Sequence, residues 1–200
     1  MFWAEFFGFV AAVLGVLQAW PQARKIRSLG HGHGVSITMW ILMTGSSAAW
    51  LGHGFRIGSP SLIASTIASA LMNLTVVLAL TSSPRVVVFR FVVLSSVTAL
   101  LIATLPLWVT TPILFAFTLS RVPQIHRSWK SKRNKVPGSA VSMGMITLSI
   151  ACLLAWEVYS ILWKSPVLIG TTTVALIGAL MVAYLELSNP ANKARSDLST

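Results

Sequence analysis

The residues able to do chemistry in this 200-residue chain are few, and most sit inside apolar runs. Glu157 is the only carboxylate well inside such a run; Glu5 and Glu186 lie near run ends. An ionisable group at membrane depth is costly and points to function. Glu157 is therefore a candidate proton site, or a partner for a base such as Arg56. Trp50 and Trp156 sit past the middle of their runs. Indoles there either belong to the interfacial belt or face a cavity, where they stack on an apolar solute face or hold a cation. His53 and Tyr159 follow them at i+3, on the same helix side; each could offer a polar tip to a pocket or pack at the outer interface. Ser65-Thr66 and Thr171-Thr172 supply hydroxyls, and Asn73 supplies an amide that could meet a solute or bond to a neighbouring helix.

Two Pro-Gln dipeptides, Pro21-Gln22 and Pro123-Gln124, each close a run. Proline removes a donor and clashes with the preceding turn. The carbonyls so freed persist at membrane depth only where neighbours satisfy them, and a glutamine beside the break can do so. Such a break either ends a helix or lets it bend. Reaction chemistry finds little here. His31-Gly32-His33-Gly34 lacks a cysteine or carboxylate partner and reads as a flexible loop, not a metal site. Cys152 is the single cysteine and cannot form an internal bridge. No nucleotide loop, nucleophile–base pair or paired catalytic carboxylates are visible, so neither an enzyme nor a bound cofactor is expected.

The elements that must position these residues are membrane helices. Hydrophobic residues make up 55% and charged ones 10%, where a soluble domain carries about 25% charge. That excludes a soluble enzyme, a disordered chain and a secreted disulfide scaffold. Runs of roughly 20 apolar residues predict seven spans, over 4–20, 36–55, 61–81, 86–105, 106–122, 140–162 and 166–187. Thr104-Leu105-Pro106-Leu107 leaves almost no loop between the fourth and fifth, so six helices with a re-entrant element is the alternative. The first run lacks a basic leader before it and reads as an anchor rather than a signal peptide.

Net charge is +11, from 15 Lys+Arg against 4 Asp+Glu. With alternating sides, only Arg56 and Lys164 fall on one face. Arg24, Lys25, Arg27, Arg85, Arg90, Arg121, Arg127, Lys130, Lys132, Arg133, Lys135, Lys193 and Arg195 fall on the other. The positive-inside rule then puts the N-terminus outside and the C-terminus in the cytoplasm. The basic stretch 127–135, with Trp129, suits contact with anionic membrane lipid better than nucleic acid.

The chain also repeats itself. At an offset of 106, Val35-Ser36 meets Val141-Ser142, Ala49-Trp50 meets Ala155-Trp156, Ser59-Pro60 meets Ser165-Pro166, and Thr66 meets Thr172. Upstream the offset falls to 102, and Pro21-Gln22 meets Pro123-Gln124. Each copy holds three helices. One extra crossing between them makes both copies point the same way, a parallel duplication about the membrane normal. The predicted fold is thus an all-α membrane protein with seven transmembrane helices in a 3+1+3 arrangement. Two triple-helix repeats, 1–82 and 106–188, flank a linker helix, 83–105, and a cytoplasmic tail follows over 189–200.

Duplicated Pro-Gln dipeptides in this topology resemble the PQ-loop family, and the 3+1+3 plan resembles its SWEET (MtN3/saliva) branch over residues 4–187. Trp156-Glu157-Val158-Tyr159 and Lys164-Ser165-Pro166-Val167 resemble stretches of the one-repeat SemiSWEET relatives. The resemblance implies facilitated transport of a small polar solute, most often a sugar, by alternating access, with the plasma membrane as location. It assigns the hinge or gate to Pro21, Gln22, Pro123 and Gln124, and the solute site to the surroundings of Trp50 and Trp156. Family sugar sites use an asparagine some sixteen residues past the tryptophan; Ser65-Thr66 and Thr171-Thr172 stand there, and Asn73 lies about two turns deeper. Other PQ-loop branches carry cystine or cationic amino acids, some with protons, and a non-transporting scaffold or receptor is the reading of a different class. Expected partners are a small solute and lipid, and a homo-oligomer is compatible with the sequence.

Overall fold

The computed structural model describes residues 2–30, 32–33, 35–81, 83–134 and 141–189. Among them the regular elements are all helical: α1 (Phe2–Leu17), α2 (Ala19–Leu29), α3 (Ile37–Ile57), α4 (Pro60–Ala79), α5 (Pro84–Thr104), α6 (Leu107–Thr118), a 3-10 turn (Leu119–Arg121), α7 (Val122–Arg133), α8 (Met143–Trp163) and α9 (Pro166–Leu187). The continuous stretch Phe2–Leu29 and helices α4, α5, α8 and α9 are each long and apolar enough to cross a bilayer. The chain is an all-α, multi-pass membrane protein. His31, Gly34, Lys135, Lys193, Arg195 and most of the tail lie outside the described residues.

Two expected spans look different. α3 has the length of a span but falls short in apolarity, because Thr44, Gly45, Ser46, Ser47, Gly52 and His53 interrupt it. Residues 106–122 form the short α6 and the 3-10 turn rather than one long helix.

The repeated motifs are helix starts. Ser36 and Ser142 accept hydrogen bonds from the backbone N–H of Met39 and Met145 at 3.2 and 3.3 Å. Ser59 and Ser165 do the same for Leu62 and Leu168, each followed by a proline in the first turn. A serine cap satisfies an orphan donor, and proline lacks the N–H that would be orphaned anyway. The Pro-Gln dipeptides behave likewise, against expectation. They open helices instead of closing them. Pro21 lies in the first turn of α2 and Pro123 in that of α7. Proline cannot bond the carbonyl four residues back, at Leu17 and Leu119. The helices accordingly break at Gln18 and at the 3-10 turn. Arg24, Lys25, Arg27, Arg127 and Lys130 therefore ride on α2 and α7, not in loops.

Packing closes a ring. α4 lies between α1 and α3; α9 lies between α8 and the α6–α7 segment; α1 runs along α8, and α3 meets α6, the turn and α7. Helix α5 stands outside this ring against α3, with Ile102 as its only buried residue. Its other apolar side chains, such as Phe89, Leu94 and Leu100, are exposed, as suits a lipid-facing helix.

Candidate functional site

The ring encloses a cavity of ≈ 170 Å³. For scale, a 150 Å³ cavity holds a benzene ring, so the space suits one ring-sized solute. Seven of the residues that the sequence singled out line it: Trp50, Trp156, Ser65, Thr66, Thr171, Thr172 and Asn73. They come from α3, α4, α8 and α9, so residues a hundred positions apart in sequence face one space. The indoles face the cavity and are half-buried, not spread along an interfacial belt.

The hydroxyls are oriented by their own helices. Thr66 Oγ1 donates to Leu62 O at 2.7 Å, and Thr171 Oγ1 to Val167 O at 2.8 Å. Each keeps its lone pairs for a donor in the cavity. Asn73 is buried in α4 and its Oδ1 has no partner among the described residues. An unpaired buried amide oxygen costs roughly 1–3 kcal/mol.

His53 and Tyr159 do not line the cavity. Both are buried at the end opposite the Pro-Gln motifs. His53 sits edge-on to Trp50, with ring centroids 5.5 Å apart, and Tyr159 edge-on to Trp156 at 5.1 Å. The Tyr159 hydroxyl lies 3.0 Å from Ser59 Oγ, which also meets Glu5 Oε1 at 3.4 Å. The two positions buttress the indoles and help shut that end. The i+3 spacing alone could not say which side of the ring they would occupy.

Glu157 also lies off the cavity, and Arg56 is not its partner. Arg56 binds Thr110 Oγ1 at 3.3 Å and the Leu105 carbonyl. Glu157 accepts from Thr173 Oγ1 at 2.9 Å and from Thr172 Oγ1. Its carboxylate is thus one hydroxyl removed from the cavity wall.

The Pro-Gln end is closed by a reciprocal clasp. Gln22 Oε1 accepts from the backbone N–H of Ser142 at 2.8 Å, and Gln124 Oε1 from that of Ser36 at 2.9 Å. Lys25 Nζ donates to Val141 O at 2.7 Å, and Arg127 donates to the Val35 carbonyl. Lys25 and Arg127 are themselves at the offset of 102. Each Pro-Gln segment therefore grips the Val-Ser helix start of the other copy. Both glutamines are buried. Sequence matching paired the motifs by likeness, but the bonds run crosswise. Comparison with protein-family models, curated proteins and solved structures gives no match.

Reasoning from sequence missed Arg121. Charge counting places it with the basic residues of one face, yet it is buried in the 3-10 turn and lines the cavity. Gln18, buried at the helix break before α2, lines it too. The signal was present: each lies just before a Pro-Gln motif, on the ring side of the break that proline enforces.

Proposed function

We propose that this chain is a seven-span carrier that moves a small polar solute by alternating access. In this reading α1–α2, α3 and α4 form one triple-helix repeat. The α6–α7 segment, α8 and α9 form the second, and α5 is the linker. The observation that carries it is the central cavity, lined by matched positions of both copies and bracketed at each end by contacts between them. The indole pair and the ring of hydroxyls suit a sugar, in line with the PQ-loop and SWEET resemblance. Opening the crosswise clasp would admit solute at the basic end, taken as cytoplasmic; parting Tyr159 from Ser59 would admit it at the other. The Pro21 and Pro123 breaks are where the helices would bend.

Reconstitution into liposomes tests this with labelled sugars and amino acids. Flux should appear, and Trp50→Ala with Trp156→Ala should cut it about tenfold or more, the effect of losing ~1.4 kcal/mol of solute contact. Full flux in the double variant would place the solute elsewhere. Flux of nothing, with a cavity closed to water, would favour the scaffold reading.

A proton-linked amino-acid carrier is the second reading, favoured by the Glu157–Thr172 contact at the cavity wall. It predicts that Glu157→Gln abolishes the response of uptake to a pH gradient while uptake at equal pH survives. An unchanged gradient response removes Glu157 as the proton site.

A further inference from the structure

We infer that the cavity is an anion site built on Arg121, and that the solute carries a carboxylate; this rests on the carrier reading above. Arg121 is more than nine-tenths buried, with 8% of its surface accessible, and it lines the cavity. Guanidinium carries five donors. Among the described residues its side chain makes one hydrogen bond, from Nη2 to Ser149 Oγ at 2.5 Å. That partner is neutral. A buried cation normally has a carboxylate beside it, since an unpaired charge away from water is strongly disfavoured.

The chain has four acidic residues, and none serves this purpose among those described. Glu5 accepts from Ser59 and from the Ser61 backbone N–H. Glu157 is held by Thr172 and Thr173, and Glu186 by Ser128 Oγ at 2.6 Å. A fixed positive charge with free donors therefore faces a space the size of a small solute, with no counter-charge beside it among the described residues. A carboxylate fits the guanidinium fork bidentately.

The repeat symmetry strengthens this. At the offset of 102 the mate of Arg121 is Ala19, and at 106 the mate of Asn73 is Ala179. The cavity is therefore symmetric in its tryptophans and threonines and asymmetric in its strongest donor and its unpaired acceptor. Symmetric walls recognise shape; the departure at Arg121 would orient a solute by its acidic group. A neutral sugar uses no part of the charge.

Cys152, the single cysteine, lines the same cavity and reports on its charge without knowledge of the solute. In proteoliposomes, a small anionic methanethiosulfonate should modify Cys152 about tenfold faster than a cationic one of equal size, as a focused field raises local counter-ion concentration. Arg121→Gln should bring the two rates together. Ser149→Ala removes only the protein partner and should keep the anionic preference; if it erases the preference as Arg121→Gln does, Arg121 merely holds the turn, and the inference falls. Equal rates for both reagents in the unaltered protein also overturn it. In flux assays D-glucuronate should outcompete D-glucose, and Arg121→Gln should raise the KM for glucuronate while leaving that for glucose unchanged. A glucuronate KM unaffected by Arg121→Gln overturns the anion site but leaves the carrier reading standing. Liposomes that pass no solute at all remove the carrier reading, and the inference with it.

Discussion

Replacing Gln22 and Gln124 together with alanine is expected to make Cys152 react about tenfold faster with a water-soluble thiol reagent added at the basic end, since the loss is roughly two net hydrogen bonds of ~0.5–1.5 kcal/mol each and ~1.4 kcal/mol is a factor of ten. Gln22 and Gln124 accept crosswise from the backbone N–H groups of Ser142 and Ser36. In the closed arrangement both backbone donors are buried and satisfied by glutamine. In an opened one, water replaces the glutamine. Alanine removes the partner only from the closed arrangement, so the balance tips toward opening. Each single variant should fall between the unaltered protein and the pair, because each breaks one half of the clasp. The helix starts themselves should survive, since the Ser36 and Ser142 hydroxyls still cap Met39 and Met145. Rates equal to those of the unaltered protein would show that the barrier to the cavity lies elsewhere.

Gly52→Val is expected to lower the unfolding midpoint of the detergent-solubilised protein sharply, with a cost of ~1–3 kcal/mol for an overpacked helix contact. A Cβ at Gly52 would overlap the carbonyl oxygen of Ala99 in α5, and it would also approach Ile102 Cβ at 3.0 Å. Backbone cannot turn aside as a flexible side chain can. Helix α5 would have to lift from α3, its principal neighbour. Gly144→Ala is the control. There a Cβ meets Pro21 side-chain atoms at 3.4 Å and beyond, ordinary contact, and alanine is the better helix former by about 0.5–1 kcal/mol. It should leave the midpoint unchanged or raise it. A Gly52→Val protein that melts with the unaltered one would mean that α5 contributes little to the assembly.

The same glycine explains why α5 packs where it does. At the offset of 106 its mate is Val158, which is exposed on α8. The two copies are alike in their caps, tryptophans and threonines, and they differ at the point where only one must admit another helix so closely. No periodicity in the sequence marks that difference, because a glycine in an apolar run resembles any other small membrane residue.

Much of the candidate site was legible beforehand. Positions that match across the duplication, Trp50 with Trp156 and Thr66 with Thr172, converge on one cavity, since α3, α4, α8 and α9, which carry them, belong to one packed ring. His53 and Tyr159 match as well, yet they lie beside the indoles and off the cavity. An i+3 step shifts a side chain about 60° round the helix, enough to move it from the wall to the seam. Glu157 stood out as an intramembrane carboxylate, but its partners proved to be hydroxyls of α9 rather than Arg56.

By itself the sequence determined the membrane class, the helix starts at Val-Ser and Ser-Pro, and the likeness of the two Pro-Gln segments, though not that Pro-Gln itself opens a helix. These are local or compositional matters: apolar length sets what can lie in lipid, serine and proline set where a helix begins, and likeness at a constant offset needs no coordinates. The tertiary structure alone decided that each glutamine caps the opposite copy, that α5 is seated on Gly52, and that Arg121 belongs to the cavity and not to the basic end. All three depend on which faces meet between elements far apart in the chain. Helical periodicity repeats every few residues and carries no record of so distant a partner. The charge of Arg121 was plain in the sequence from the start; only the packing of the turn before Pro123 could say that it looks inward.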